Sequence, residues 1–410
     1  MSSLSDRLKN LGVHIGAKNI PSPRKRSSFP IETVVEGQSI ETPFGQAFVV
    51  EGRYPIGHDQ GRSKLDLNAS LHTIAAWAGE PRLLELDSGA FIFLDTETSG
   101  LAGGTGTYPF LIGVGRFENQ GFHLAQYFMR DPLEEISHLA AFNQFLGSCD
   151  GLVSFNGKAF DVPLLNTRFI TNGERSPLVG AAHIDLLPLA RRLWRDRLPS
   201  RALGYLEEHI LKVQRTYEDV PGWLIPSLYF EYLRSGDARP LKRVFYHNAM
   251  DILSLAALLN HMANLLEHPL SNKVDHPVDL FAMGKLFDDL GFIDTAAALY
   301  AHALENDLPE EILGDAVQRW SLLEKRRENY LLAIELWQRA AVRHEVYAYE
   351  ELAKYYEHRD KDYREATRWT EAAINLISQA DYPRLDRRHW LPLFEHRLNR
   401  LRTRLTRSQQ

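Results

Sequence analysis

The sequence predicts an α/β domain, a mixed sheet flanked by helices, followed by an all-helical region. Three observations predict it. A chain of 410 residues is too long for one ordinary core. Between Phe91 and about residue 187, β runs and helical runs alternate in the order βββαβαβ. The last third carries helical text with a recurring alanine and aromatic pattern.

In chain order, residues 1–30 read as a flexible leader whose Arg24-Lys25-Arg26 cluster is solvated, with a nucleic-acid arm as the other reading. Residues 31–90 read as a small β-rich extension that turns at Pro43-Phe44-Gly45, with His58 as a turn residue. "FIFLDTE" (91–97) begins the main domain, placed at 91–267. "FLIGVGRFE" (110–118) and "FHLAQYFMRD" (122–131) form a hairpin across Asn119-Gln120-Gly121. A helix over about 133–147 keeps Leu133, Ile136, Leu139, Ala140, Phe142 and Phe145 on one face. "GLVSF" (151–155), a helix starting near Phe160-Asp161, "AHIDLL" (182–187) and further helices to about 267 complete the order. A three-strand meander followed by alternating α and β is the ribonuclease-H-like arrangement.

Composition narrows the function classes. A formal charge of −6 excludes a strongly basic nucleic-acid coat but not a local basic groove. The single cysteine, Cys149, can form neither an internal disulfide nor a cysteine-based zinc cluster, which favours a reducing, cytoplasmic setting. No run of about 18 apolar residues predicts a membrane span. The glycine-rich passage "GLAGGTGTYP" (100–109) lacks the Lys-Ser/Thr of a phosphate loop, so ATP is not expected. Its glycines, Gly104 among them, suit close backbone approach to a substrate strand; a wide turn between strands is the alternative.

Chemistry concentrates in acids. Residues i and i+2 of a strand point the same way, so Asp95 and Glu97 project together. Two such carboxylates repel unless a cation lies between them, and hard oxygen ligands suit Mg²⁺ or Mn²⁺. A strand end emerging into solvent is the plainer reading of that pair alone. Asp161 opens a helix after the "LVSFNG" strand, where it could also serve the helix dipole. His247 and Asp251, four residues apart in "HNAMDILSL", share a face of a helix whose Ile252, Leu255, Leu259, Met262 and Leu266 turn to a core. Asp185 in "HIDLL" is a second-sphere acid or a plain strand end. Arg191, Arg192, Arg195, Arg197 and Arg201 surround Trp194 in "ARRLWRDRLPSR", which suits phosphates and a stacked base; a solvated helix over a buried tryptophan is the plainer reading of any one of them.

The strings "FLDTET", "SFNGKAFD", "HIDLL", "DVPG" and "HNAMD" resemble those of the YprB-type ribonuclease-H-like family, within the DEDD (DnaQ-like) exonuclease superfamily. The resemblance covers about residues 90–267. It implies that Asp95, Glu97, Asp161 and Asp251 are metal-binding carboxylates holding two Mg²⁺ or Mn²⁺ ions about 4 Å apart. It places His247 as the base that takes a proton from the attacking water, although Tyr246 stands at the spacing of the superfamily's histidine branch. Thr96, Gly104, Asn156, Lys158, Arg191 and Arg192 are the residues expected to touch substrate. The implied activity is 3′–5′ exonucleolytic hydrolysis of DNA or RNA from single-stranded 3′ ends, releasing nucleoside 5′-monophosphates. A structure-selective endonuclease and a non-catalytic nucleic-acid-binding or adaptor protein are the alternatives.

Beyond residue 275, Ala297, Ala333 and Ala366 recur at spacings of 36 and 33, and Ala303, Ala340 and Ala373 at 37 and 33. A period near 34 with small residues at helix contacts resembles tetratricopeptide repeats, placed at 275–407 with residues from Trp390 to Leu405 as a capping helix. Such repeats imply a protein partner.

Overall fold

A computed structural model describes residues 29–100, 106–271, 274 and 276–408. The described chain falls into two compact units. One takes the chain up to Leu189 together with Ala202–Ala263; the other takes Ala190–Arg201 together with the residues from Asn264 onward.

The first unit is built on a seven-stranded mixed sheet. Its strands are β1 (Gln38–Thr42), β2 (Gly45–Pro55), β5 (Phe91–Thr98), β6 (Pro109–Glu118), β7 (Gly121–Phe128), β8 (Gly151–Ser154) and β9 (Ala182–Asp185), while β3 (Asp59–Gln60) and β4 (Ser63–Lys64) make a separate small hairpin. The order across the sheet is β1-β2-β7-β6-β5-β8-β9. The β5-β6-β7 meander is antiparallel and β8 and β9 add in parallel, which is the ribonuclease-H-like topology expected from the element order. Residues 31–90 contribute more to this sheet than a local reading reveals. β2 pairs with β7 from Phe48↔Phe128 to Pro55↔Gly121, so the β1–β2 hairpin widens the sheet by two strands. His58 lies in the turn after β2, its ring edge-on to Tyr54.

One sheet face packs Ile92, Leu94, Ile112, Val114 and Leu152 against Leu139 and Phe142 of helix Glu135–Leu146 and Leu165 and Phe169 of helix Asp161–Thr171. Each fully buried aliphatic or aromatic side chain contributes about 1.5–3 kcal/mol over leaving it exposed. The other face receives helix Lys242–Glu267, whose Ile252, Leu255, Leu259 and Met262 are fully buried. By length and composition Arg239–Glu267 could cross a bilayer, but 72% of its most apolar window is buried inside the protein. The β3–β4 hairpin holds this helix through Gln60 Nε2 to Ser254 Oγ (3.2 Å) and Ser63 Oγ to the Ala257 carbonyl (3.0 Å).

The second unit is all-helical, from Pro277–Asp289 to Arg384–Ser408, and each helix packs chiefly on its neighbours in sequence. The six periodic alanines, Ala297, Ala303, Ala333, Ala340, Ala366 and Ala373, are all buried, as small residues between close helices should be. Asp362 caps helix Tyr363–Ile377 by accepting from the Arg364 and Glu365 N–H groups at 3.0 Å. Residues 190–201 belong here rather than with the 91–267 stretch. Arg192 pairs with Asp289, Arg197 with Asp279 at 2.8 Å, and Asp196 with Lys285 at 2.7 Å. Trp194 is 1% exposed, so its ring is core and offers no face to a base.

Candidate active site at the end of the central strand

Strand alternation sends Asp95 and Glu97 to the face covered by helix Lys242–Glu267, and Thr96 to the opposite face. The β5–β6 ladder runs in register to Glu97 and shifts between Glu97 and Thr98. Beyond the shift the ladder resumes at Thr98↔Pro109, so the irregularity re-aims the strand end beside Glu97 without ending the pairing.

Two features bring the helix down onto the acids. Gly113 lies opposite Asp95, and a Cβ there would stand 2.2 Å from Asn248 Oδ1. The bare backbone leaves room for Asn248, whose Nδ2 donates to Asp95 Oδ2 at 2.9 Å. Gln126 Nε2 donates to Asn248 Oδ1 at 2.9 Å and to the Phe245 carbonyl at 2.8 Å, fixing the amide's orientation. One helical turn then aligns His247 with Asp251. His247 Nε2 lies 3.4 Å from Asp251 Oδ2 and 4.0 Å from Glu97 Oε1, and Glu97, His247 and Asp251 offer ligand atoms within 4.8 Å of one another. The ring's other nitrogen, Nδ1, lies 2.7 Å from Asp219 Oδ1. Tyr246 points its hydroxyl elsewhere, accepting the Thr216 N–H at 3.0 Å.

Asp161 enters from the first turn of its helix. Thr96, expected to face substrate, donates its hydroxyl to Asp161 Oδ1 at 2.5 Å, because alternation turns it away from Asp95 and Glu97. Asn156 sits at φ 68° and donates its N–H to Asp185 Oδ1 at 2.7 Å, and the Lys158 N–H reaches Asp185 Oδ2 at 3.1 Å. Buried Asp185 thus shapes the loop that delivers Asp161, while the Lys158 side chain is exposed. Arg191 and Arg192 lie in the other unit, Arg191 exposed and Arg192 paired with Asp289. Gly104 falls outside the described residues.

The electrostatics are lopsided. Burial first, then the charges of Asp251 and Asp161, hold the Asp95 carboxyl well above the usual carboxylate range. Burial, then Asp95, Asp251 and Asp161, do the same to Glu97. Asp161 is pushed up to about 6, mainly by burial, against the opposing Thr96 hydrogen bond. Arg215 is the principal counter-charge. Its guanidinium grips Glu207 through two 2.6 Å bonds, ion-pairs with Asp251, and stands 3.4 Å from Asp219 and 3.1 Å from His247 Nδ1. Burial alone would weaken its proton, but the bonds to Glu207 and Asp251 outweigh that and raise its pKa further. Glu207, 1% exposed, comes from a π-helical turn at Glu207–Leu211. A cleft of about 720 Å³ opens here, lined in part by Glu207, Arg215, Asp219, Gly222, His247 and Asp251.

This donor set fits hard divalent cations. Glu97, His247 and Asp251 offer ligand atoms close to one another, Asp95 and Asp161 act on them electrostatically, and burial first, then the neighbouring carboxylates, drives Asp95, Glu97 and Asp161 toward protonation. Arg215, Asp219, Asn248 and Gln126 were not singled out from sequence. The "DVPG" string, which holds Asp219, and the bare "GVG" of β6, which leaves room for Asn248, are the signals that could have found two of them.

Comparison with known proteins agrees with the fold. The model of the RNase_H superfamily matches residues 92–263. The chain is 32% identical over 335 residues to the Bacillus subtilis (strain 168) protein described as "Uncharacterized protein YprB", covering 79% of each chain.

Proposed function

Because the chain belongs to the YprB family and carries a ribonuclease-H-superfamily domain, we propose that it is a metal-dependent 3′–5′ exonuclease acting on single-stranded ends of DNA or RNA. The observation that carries this reading is the grouping of Glu97, Asp251 and His247, with Asp95 and Asp161 buried and electrostatically coupled to the same acids. In this reading the four acids hold two Mg²⁺ or Mn²⁺ ions, which when bound supply an activated water and neutralise charge on the leaving 3′ oxygen.

The protein's own residues do the rest. Asp219 accepts the Nδ1 proton of His247, which fixes the tautomer and turns the Nε2 lone pair toward Glu97 and Asp251. From there Nε2 takes the proton of the attacking water. Asn248 orients Asp95, Thr96 orients Asp161, and Arg215 holds Asp251 in place. Single strands are favoured because three large aromatics next to site residues in the chain are exposed: Phe160 beside Asp161, and Tyr217 and Trp223 flanking Asp219–Gly222. Unpaired bases stack on such rings for about 1–3 kcal/mol each. The helical unit, with its period near 34 and buried alanines, serves in this proposal as a tetratricopeptide-like array that docks a protein segment.

The test is cleavage of 5′-labelled single- and double-stranded DNA and RNA with Mg²⁺, Mn²⁺ or EDTA, beside Asp95→Ala. A ladder shortening from the 3′ end that needs both metal and Asp95 supports the proposal. Binding without metal-dependent cleavage on every substrate replaces it with a non-catalytic role. Internal cuts replace it with an endonuclease.

A further inference from the structure

The helical unit contains a second site of opposite charge. A cavity of about 460 Å³ is lined by residues of four helices and of the π-helical turn Tyr356–Asp360. Its volume lies within the roughly 300–1,000 Å³ of small-molecule sites.

Lys325, Lys354, Arg359, Arg397 and Arg400 line it, with Glu351 as the acid among the lining residues. The nearby carboxylates do not balance these cations. Glu351 is shared by Lys325 and Lys354, and Lys354 also reaches Glu350 at 2.9 Å. Glu357, its side chain fully buried, is shared by Arg397 and Arg400, each at 2.7 Å, and by Arg404 at 3.5 Å. Arg359 has a 3.8 Å contact with exposed Glu328 and lies 5.1 Å over the Tyr330 ring. A surplus of guanidinium and ammonium groups in a partly desolvated cavity attracts a multiply charged anion.

The rest of the lining is not that of a plain anion site. Tyr330 and Tyr355 stand with ring centroids 5.4 Å apart, tilted by 35°. Trp337 is fully buried and also lines the cavity, and its Nε1–H has no hydrogen-bond partner among the described residues. A buried indole N–H without an acceptor costs about 1–3 kcal/mol, and with the nitrogen itself closed to solvent a ligand acceptor recovers that loss once the indole shifts to meet it. Phosphate for the cations, a planar ring for the tyrosines and an acceptor for the indole together describe one ligand class.

We propose that this cavity binds a nucleoside 5′-phosphate, either free or as one nucleotide of a single strand, through Arg359, Lys354, Arg400 and Trp337. An acidic peptide would use the cations and could offer a carbonyl to the indole, but Asp and Glu side chains bring no planar ring to the tyrosines, so the nucleotide is the better match. The site is separate in residues from the acid cluster and does not require the nuclease reading.

The experiment is calorimetric titration of the full-length protein in EDTA, which suppresses metal-dependent binding at the acid cluster. The probes are adenosine 5′-monophosphate, adenosine, inorganic phosphate, a short oligo(dA) and an oligoglutamate peptide. The expected result is binding of the monophosphate at least about tenfold tighter than adenosine or phosphate alone, the size of one charge-assisted bond. Arg359→Gln, an exposed position, and Trp337→Phe, which keeps a ring but removes the N–H, should each weaken it severalfold, while circular dichroism confirms that both variants fold. If the oligonucleotide binds tighter than the monophosphate and both variants weaken it, the natural source is a strand; the reverse order marks a free nucleotide. No monophosphate binding, binding indifferent to both variants, equal binding of phosphate alone, or tighter binding of the peptide would each overturn the proposal.

Discussion

The two units treat buried charge in opposite ways. In the sheet unit one guanidinium, Arg215, serves Glu207, Asp219 and Asp251, while Asp95, Glu97 and Asp161 crowd beside them and are pushed toward protonation. In the helical unit three arginines surround one carboxylate, Glu357; burial pushes that group up, but Arg400 and Arg397 win and hold it below the usual range. The same chain therefore pairs buried acids well where structure is the purpose. On the two proposals above, the surplus of acid in one unit would receive a divalent cation and the surplus of base in the other an anion.

The contrast is open to direct attack. The largest effect should come from Asp95→Asn, which removes a charge but keeps the Asn248 contact. Metal-dependent cleavage should fall by about 10³-fold or more, the scale of several kcal/mol of metal-assisted stabilisation. Thermal stability in EDTA should rise, since a repelling charge is gone. Glu357→Gln should do the reverse. Losing the shared partner of three arginines should cost about 2–3 kcal/mol of stability, below the full value for buried pairs because the arginines can reach solvent. Chemical denaturation of each variant reads both signs.

Asp219→Asn probes the same cluster more gently. It should lower kcat about ten- to thirtyfold by releasing the His247 ring, without changing the amount of Mn²⁺ bound. A parallel fall in Mn²⁺ binding would mean that Asp219 is a ligand instead. The smallest effect is in pH. Asp161 titrates near 6 in the folded chain against 3.8 as its ordinary value, and Asp95 and Glu97 are raised as well. A raised carboxyl binds its proton more tightly in the folded state, so stability falls as pH rises from about 4 through 6 and beyond. In EDTA the melting temperature should be lower at pH 7.5 than at pH 5.5, and Asp95→Asn should flatten that slope. Below about pH 4.5 the trend should reverse as Glu357 and Glu135, both held low, take up protons.

What the sequence disclosed follows from the range of the forces involved. Asp95 with Glu97, and His247 with Asp251, are legible because strand and helix periodicity are local rules. The meander and the alternating elements are legible for the same reason. The β1–β2 hairpin's place in the main sheet was not, because β2 pairs with a strand about 70 residues away. Arg215 and Asp219 come from a loop and reach the site only when the chain folds back on helix Lys242–Glu267. The partners of the arginines of 190–201 were not legible either: Asp279 and Asp289, more than 80 residues on, take up two of them. Gly113 is the instructive case, since a glycine in a strand announces a close approach without naming what approaches.

The most direct test of the central claim is Mn²⁺ binding followed by electron paramagnetic resonance on the full-length protein at pH 7.5. Up to two ions should bind per chain, fewer in Asp95→Asn and in Asp251→Asn, and as many in Glu357→Gln as in the unaltered protein. Absence of Mn²⁺ binding at millimolar concentration, or binding that survives both aspartate changes, would contradict that claim.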